Sequence, residues 1–143
     1  MLSDETRQFV EAQRVGHLAT ADQQAVPHVI PVCFAISGSS LYIAIDGKPK
    51  RGSPSNLKRL RNIAENASVC LVVDRYDEDW ARLGWVMLHG TAEILTDGRD
   101  RGEAHRLLRS RYPQYVGMAL EDLPVIAVRI TRVAGWGDLS VGD

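Results

Sequence analysis

Two prolines four positions apart, Pro27 and Pro31, stand inside the extended apolar segment Val26 to Ile36 and limit what this chain can become. Each lacks the N–H that a strand contributes to a ladder, so a segment carrying both belongs at a sheet edge, or against a bulge or a ligand, and not in mid-sheet. The flanking periodicity is that of strands. His17-Leu18-Ala19-Thr20 enters the polar turn Ala21-Asp22-Gln23-Gln24-Ala25 and returns through Val26, which reads as a hairpin. Ser37-Gly38-Ser39-Ser40 then turns the chain into Leu41 to Ile45, a third strand with Leu41, Ile43 and Ile45 on one face. Val69 to Val73, Trp85 to Leu95 and Val125 to Val133 supply three more, with Ile126, Val128 and Ile130 aligned in the last.

Three helices punctuate this pattern. Ser3 caps a first helix with Phe9, Val10 and Ala12 as its stripe and Gly16 beyond its end. Ser53 as cap and Pro54 at the first helical position precede Leu57, Leu60, Ile63 and Ala64 at helical spacing. Asp97 opens a third helix carrying Ala104, Leu107 and Leu108, closed by Pro113. Short consecutive strands on hairpin-length turns favour an antiparallel sheet that closes on itself, because closure removes exposed edges. The expectation is an α+β, mainly β, six-stranded antiparallel barrel with flanking helices, folding as one domain over residues 1–143.

At 143 residues, 45% hydrophobic and 24% charged, the chain has the profile of one globular domain with a real core. Cys33 and Cys70 lie in apolar runs, where reduced thiols pack as small hydrophobes, which makes a reducing, cytoplasmic location the default. No apolar stretch reaches the roughly 18 residues of a membrane span, and Met1-Leu2-Ser3-Asp4-Glu5 lacks a basic start. The net charge of -1 argues against a surface built throughout for nucleic acid.

Several chemistries lack their residues. Pro49 follows Gly47-Lys48 where a phosphate loop needs Ser or Thr, Gly52-Ser53-Pro54-Ser55-Asn56 lacks the second glycine of a nucleophile elbow, and four scattered histidines and two distant cysteines give no zinc spacing. The acidic run Asp74, Asp77, Glu78, Asp79 is broken by Arg75 and Tyr76 and reads as a solvated turn. Chemistry here calls for a cofactor.

The charge is nevertheless uneven. Lys48, Lys50, Arg51, Lys58, Arg59 and Arg61 fall within fourteen consecutive positions, Lys48 to Arg61, that contain no Asp or Glu. A cationic loop feeding a helix start is a geometry for phosphate or carboxylate. Arg61, beside Leu60, reads as solvated. Trp80, Trp85 and Trp136 are large flat surfaces in a chain with 6% aromatics. Trp85, at a strand start, reads as core. Trp136, flanked by glycines after the last strand, has no local packing neighbour and needs a partner subunit or a planar ligand.

The ordered set Gly16-His17-Leu18-Ala19-Thr20, Pro27 to Phe34, Asp46 to Arg51, Leu60-Arg61-Asn62-Ile63 with Asn66-Ala67-Ser68-Val69, and Asp77-Glu78-Asp79-Trp80 resembles the flavin/deazaflavin oxidoreductases, split β-barrel relatives of pyridoxamine 5'-phosphate oxidase, and within them the deazaflavin-dependent branch. That resemblance implies a homodimer with a flat tricyclic cofactor in a groove at the subunit interface. The ring would lie on Pro31, Val32 and Cys33, and the anionic tail would run along Lys48, Pro49, Lys50, Arg51, Lys58 and Arg59. Trp80, Trp85 or Trp136 would come from the other subunit.

Six cations suit the phosphodiester and polyglutamate tail of coenzyme F420 better than the single phosphate of FMN, which remains the alternative. The implied activity is hydride transfer between the reduced deazaflavin and a small electron-poor substrate, the protein binding and desolvating the carrier. No catalytic side chain is required: solvent can supply the proton, and His28, the one nameable side-chain donor, reads more readily as a strand histidine paired with backbone. The extended C-terminal region that holds substrate phosphate in pyridoxamine phosphate oxidases has no counterpart before Asp143, so that activity is not expected. A non-catalytic cofactor or nucleic-acid binding module is the competing class, but the basic segment has no interleaved aromatics for stacking.

Overall fold

A computed structural model of the chain describes residues 2–45 and 57–142. The elements run α1 (Asp4–Ala12), β1 (Gly16–Ala21), β2 (Pro27–Val32), β3 (Ala35–Ser37), β4 (Ser40–Ala44), α2 (Lys58–Glu65), β5 (Ser68–Arg75), β6 (Gly84–Leu95), α3 (Gly98–Arg111) and β7 (Val125–Gly137), with 3₁₀ turns at Trp80–Arg82 and Pro113–Gly117. Ser3 caps α1 as expected, its side chain accepting from the Thr6 amide.

The described residues form one antiparallel sheet of seven strands, β2-β1-β5-β6-β7-β4-β3, where the sequence predicts six. The extra strand comes from the Val26 to Ile36 segment, which is not continuous: β2 stops at Val32 and β3 starts at Ala35. These two strands are the opposite edges of the sheet, yet only Cys33 and Phe34 separate them in sequence. Two residues reach no more than about 10 Å, so the sheet must curl until its edges nearly meet. The result is a barrel split between β2 and β3, with Cys33-Phe34 crossing the gap.

β2 is an edge, as its prolines require. The Asp22 amide donates to the Val26 carbonyl, which sets the alternation of the β1–β2 ladder. Pro27, Val29 and Pro31 then take the positions whose backbone groups face away from β1, and His28, Ile30 and Val32 keep their N–H groups for the ladder.

Inside the barrel, Leu18, Phe34, Leu41, Ile43, Leu71, Val86, Leu88, Ile126 and Val128 form a core that Phe9 and Val10 of α1 and Leu60 and Ile63 of α2 complete. A second cluster holds α3 by Ala104 and Leu108 against Ala35, Tyr42, Ala44 and Ala127. β4 is therefore buried on both faces, with Leu41, Ile43 and Ile45 turned inward and Tyr42 and Ala44 under α3.

Three further expectations change. α2 begins at Lys58 after an extended Leu57, later than the Ser53-Pro54 signal, which lies outside the described residues. Trp136 lies within β7, which runs on to Gly137. Trp85 is not core: strand alternation puts Val86 and Leu88 inside and turns Trp85 to the outer face, opposite Trp136.

Candidate functional site

A cavity of about 220 Å³ opens beside the gap in the barrel, lined by Val15, Pro31, Val32, Cys33, Ala44, Arg59 and Tyr115. Its parts come from five places in the chain. Pro31, Val32 and Cys33 are the end of β2 and the crossing that follows; Ala44 is the last residue of β4; Arg59 stands in the first turn of α2. Val15 belongs to the link before β1, and Tyr115 to the 3₁₀ turn after α3. Val32, Ala44 and Tyr115 are buried and close the floor and one wall, whereas Val15 is 46% exposed at the rim.

The gap is held by one side chain. Phe34 is fully buried, and its amide, set where the chain passes between two sheet edges, donates to the Tyr112 hydroxyl at 3.1 Å. That hydroxyl donates in turn to the Arg14 carbonyl at 2.9 Å and accepts from Arg111 Nε. Arg111 also reaches the Glu11 and Gln13 carbonyls, so the α1–β1 link, the end of α3 and the barrel gap form one hydrogen-bonded joint.

Of the residues singled out in the sequence, Pro31, Val32, Cys33 and Arg59 line this one cavity. Lys58 sits next to Arg59 but is turned to the β1–β2 turn, with Nζ 3.7 Å from Asp22 Oδ2. The Val26 amide, foremost, and then the Gln24 amide and Lys58, hold the Asp22 carboxyl below its usual range. Lys48, Pro49, Lys50 and Arg51 lie outside the described residues. The first turn of α2 carries no acidic residue and its N-cap, Leu57, offers no side-chain bond, so its amide groups and Arg59 together make a positive end.

The tryptophans are elsewhere. Trp85 and Trp136 line a separate hollow of about 140 Å³ with Asp74, Arg75 and Tyr76, and Trp80 lies on a 3₁₀ turn, 70% exposed. Counted along the sheet, β6 is three strands and β7 four strands from β2, and neither Trp85 nor Trp136 lines the cavity that holds Pro31. Within one chain they do not share a wall with Pro31.

His28 does not line the cavity either. It pairs with Thr20, three residues before Pro31, and its Nδ1 is buried without a hydrogen-bond partner. The neighbouring Asn62, fully buried on α2, donates from Nδ2 to Thr20 Oγ1 at 3.0 Å. The acidic run is a structural turn: Asp77 accepts from the Asp79 amide, Asp79 from the Ala81 amide, and Asp77 pairs with Arg82. Among the described residues no group of three or more His, Cys, Asp or Glu is arranged to hold a metal ion, and no helix is long and apolar enough to cross a membrane.

Val15, Ala44 and Tyr115 also line the cavity but carry no site signal in the sequence. Ala44 carries only a core signal in sequence, and Val15 only a linker signal; tertiary contact brings both here. The two tyrosines flanking Pro113 in Tyr112-Pro113-Gln114-Tyr115 are the one local hint, an aromatic pair on a turn that closes a helix.

Several solved structures share this architecture. A FAD-binding protein from Mesorhizobium loti is 26% identical, with 94% of each chain covered and a TM-score of 0.69. A conserved hypothetical protein from Mycobacterium tuberculosis, 19% identical, superposes at 0.76 over 100% of this chain and 94% of its own. A heme binding protein from Mycobacterium smegmatis, also 19% identical, superposes at 0.76 over 96% of this chain, which spans 55% of that one. No curated protein matches the sequence at a significant level. The pyridoxamine 5'-phosphate oxidase family pattern matches residues 2–137, which takes in the barrel, the gap and the cavity lining alike, and the chain therefore belongs to the pyridoxamine 5'-phosphate oxidase N-terminal family.

Proposed function

We propose that the chain is an oxidoreductase that seats a flat tricyclic redox cofactor of the flavin or deazaflavin class at the barrel gap, and that its cofactor is F420. The observation that carries this is the convergence of Pro31, Val32 and Cys33 on one edge strand with Arg59 on α2 around a single cavity. Pro31 and Cys33 offer a flat surface, while Val32, Ala44 and Tyr115 keep water from its inner side. Arg59 and the first turn of α2, which holds no acidic residue and takes no side-chain bond from its N-cap Leu57, give an anion a positive end. These features fit a planar ring with a charged tail. When bound, such a group supplies two-electron hydride chemistry; the protein binds, orients and dries it.

The basic stretch Lys48 to Arg61, free of acidic residues, supports F420 over FMN because the longer tail carries more negative charge. The family match supports FMN as the second reading. Fluorescence titrations with F420 and FMN side by side decide between them. Tight F420 binding with reduction of a quinone by reduced F420, and not by reduced FMN, is the expected result. Protein that purifies yellow with near-equimolar FMN overturns the F420 assignment, and hemin binding without either would make the chain a non-catalytic cofactor carrier.

A second copy completes the site in this proposal. The cavity of about 220 Å³ falls below the range of ordinary small-molecule sites, roughly 300 to 1,000 Å³, so one chain supplies only part of a wall. α3 covers β3, β4 and the first half of β7, but the outer face of β2, β1, β5, β6 and the rest of β7 carries Val29, Ala19, Val72, Met87, Trp85 and Trp136 with no covering helix among the described residues. Val29 is 62% and Trp136 54% exposed. This face, on which His17, Asp74, His89 and Arg132 stand among the apolar residues, suits an isologous dimer, each copy lending aromatic side chains to the other's groove. Sedimentation equilibrium tests it; a monomer at micromolar concentration contradicts it.

A further inference from the structure

We infer that a second cavity, adjoining the first, is a subsite for a small planar molecule bearing one carboxylate. It rests on the proposed function for its role: the occupant is the molecule that exchanges a hydride with the ring. The second cavity, about 300 Å³, is lined by Arg14, Cys33, Tyr112, Pro113, Gln114, Tyr115 and Met118. Cys33 and Tyr115 line both cavities, so occupants of the two meet across these side chains.

The charge and shape of the lining select the ligand. Arg14 is the one ionic side chain in it, and its guanidinium lies over the Tyr112 ring with Cζ 4.7 Å from the centroid. One N–H goes to the Arg111 carbonyl, and among the described residues Arg14 has no acidic partner. The remaining donors lie in one plane, the arrangement that takes a carboxylate through two parallel bonds. Arg14 is also held in place, since the Tyr112 hydroxyl binds its carbonyl while Arg111 fastens Glu11 and Gln13 just before it.

The Tyr112 hydroxyl is fully engaged and presents no group to a ligand. What remains is mainly apolar, Pro113, Met118, the Tyr115 ring and the Cys33 thiol, with the exposed Gln114 as a neutral polar group. A volume at the lower end of ligand sites admits one or two rings. In the reaction, a conjugated C=C of this ligand accepts hydride from the reduced cofactor and a proton from water, giving the saturated CH–CH product and the oxidised cofactor.

Isothermal titration of trans-cinnamate and its neutral isostere cinnamamide tests the subsite, first without cofactor and then with F420 or FMN present. Cinnamate should bind the protein roughly tenfold or more tightly than cinnamamide, as a charge-assisted bidentate contact implies. Arg14→Gln should abolish that preference, and Arg14→Lys should lose most of it. Gln114→Glu, at an exposed position outside the hydrogen-bonded joint, should weaken cinnamate tenfold and leave cinnamamide unchanged. Equal affinity for the two compounds, or a preference that survives Arg14→Gln and Gln114→Glu, overturns the inference. Cinnamate preference with no cofactor binding overturns the proposed function and leaves the subsite; cofactor binding with no cinnamate preference does the reverse.

Discussion

Removing the Tyr112 hydroxyl should weaken the fold by about 2 to 3 kcal/mol, and the size follows from what each of its three partners loses. The Phe34 amide is buried in a fully buried residue at the gap between two sheet edges, where neither ladder nor water replaces the bond. An orphaned donor of that kind costs roughly 1 to 3 kcal/mol. Arg111 keeps its bonds to the Glu11 and Gln13 carbonyls, so losing Nε–H to the hydroxyl adds little. The Arg14 carbonyl belongs to an exposed residue and water takes the place of the phenol, adding at most about 0.5 to 1 kcal/mol. The ring itself stays in the Tyr112→Phe variant, so no cavity is made. Urea unfolding followed by fluorescence should show a lower midpoint at unchanged slope, and a melting temperature lower by roughly 5 to 10 °C for a chain of this size. A loss below about 0.5 kcal/mol would refute the view that this hydroxyl closes the barrel gap.

Other outcomes follow from single residues. Gly137 has φ +86° and an added Cβ would lie 2.1 Å from the Leu83 carbonyl oxygen, whereas Gly98 has φ +88° with nothing within 4 Å. Gly98→Ala should cost only the backbone strain, about 1 to 2 kcal/mol, and Gly137→Ala clearly more, by denaturant titration. His105 is buried on α3; burial, then the nearby Arg101 and Arg109, lower its pKa, with Glu121 opposing. The unfolded chain then takes up its proton first as pH falls below about 6.5, so this residue's contribution is present above that pH and declines below it by up to about 1.4 kcal/mol per unit. His105→Gln should flatten the stability profile between pH 7 and 5. Val29→Asp, on the exposed outer face of β2, should change the unfolding free energy of the monomer by no more than about 0.5 kcal/mol while shifting sedimentation toward monomer.

Much of the barrel is legible because its signals are local. The β1–β2 hairpin follows from a polar turn between apolar runs, and the edge position of β2 from two missing N–H groups at Pro27 and Pro31. Ser3 is visible as a cap because capping needs only neighbours. The break at Cys33-Phe34 is not legible, since an unbroken apolar run continues through it and only closure of the sheet interrupts the pairing. Trp85 and Trp136 mislead for a related reason. Trp85 reads as core and Trp136 as isolated, while their pairing depends on the β6–β7 register, fixed many residues away. Pro31, Val32, Cys33 and Arg59 stand out through strand chemistry and charge, while Ala44 and Tyr115 complete the cavity only through α3 packing on β4.

The claim that the gap cavity seats a ring with an anionic tail is tested most directly by titrating F420 and the same deazaflavin ring without its phosphodiester tail into the wild-type protein and Arg59→Gln. A lost charge-assisted contact predicts roughly 10- to 100-fold weaker F420 binding in the variant, with the tail-free ring changed less than about threefold. Equal F420 affinity in the two proteins, or equal weakening of both compounds, would contradict it.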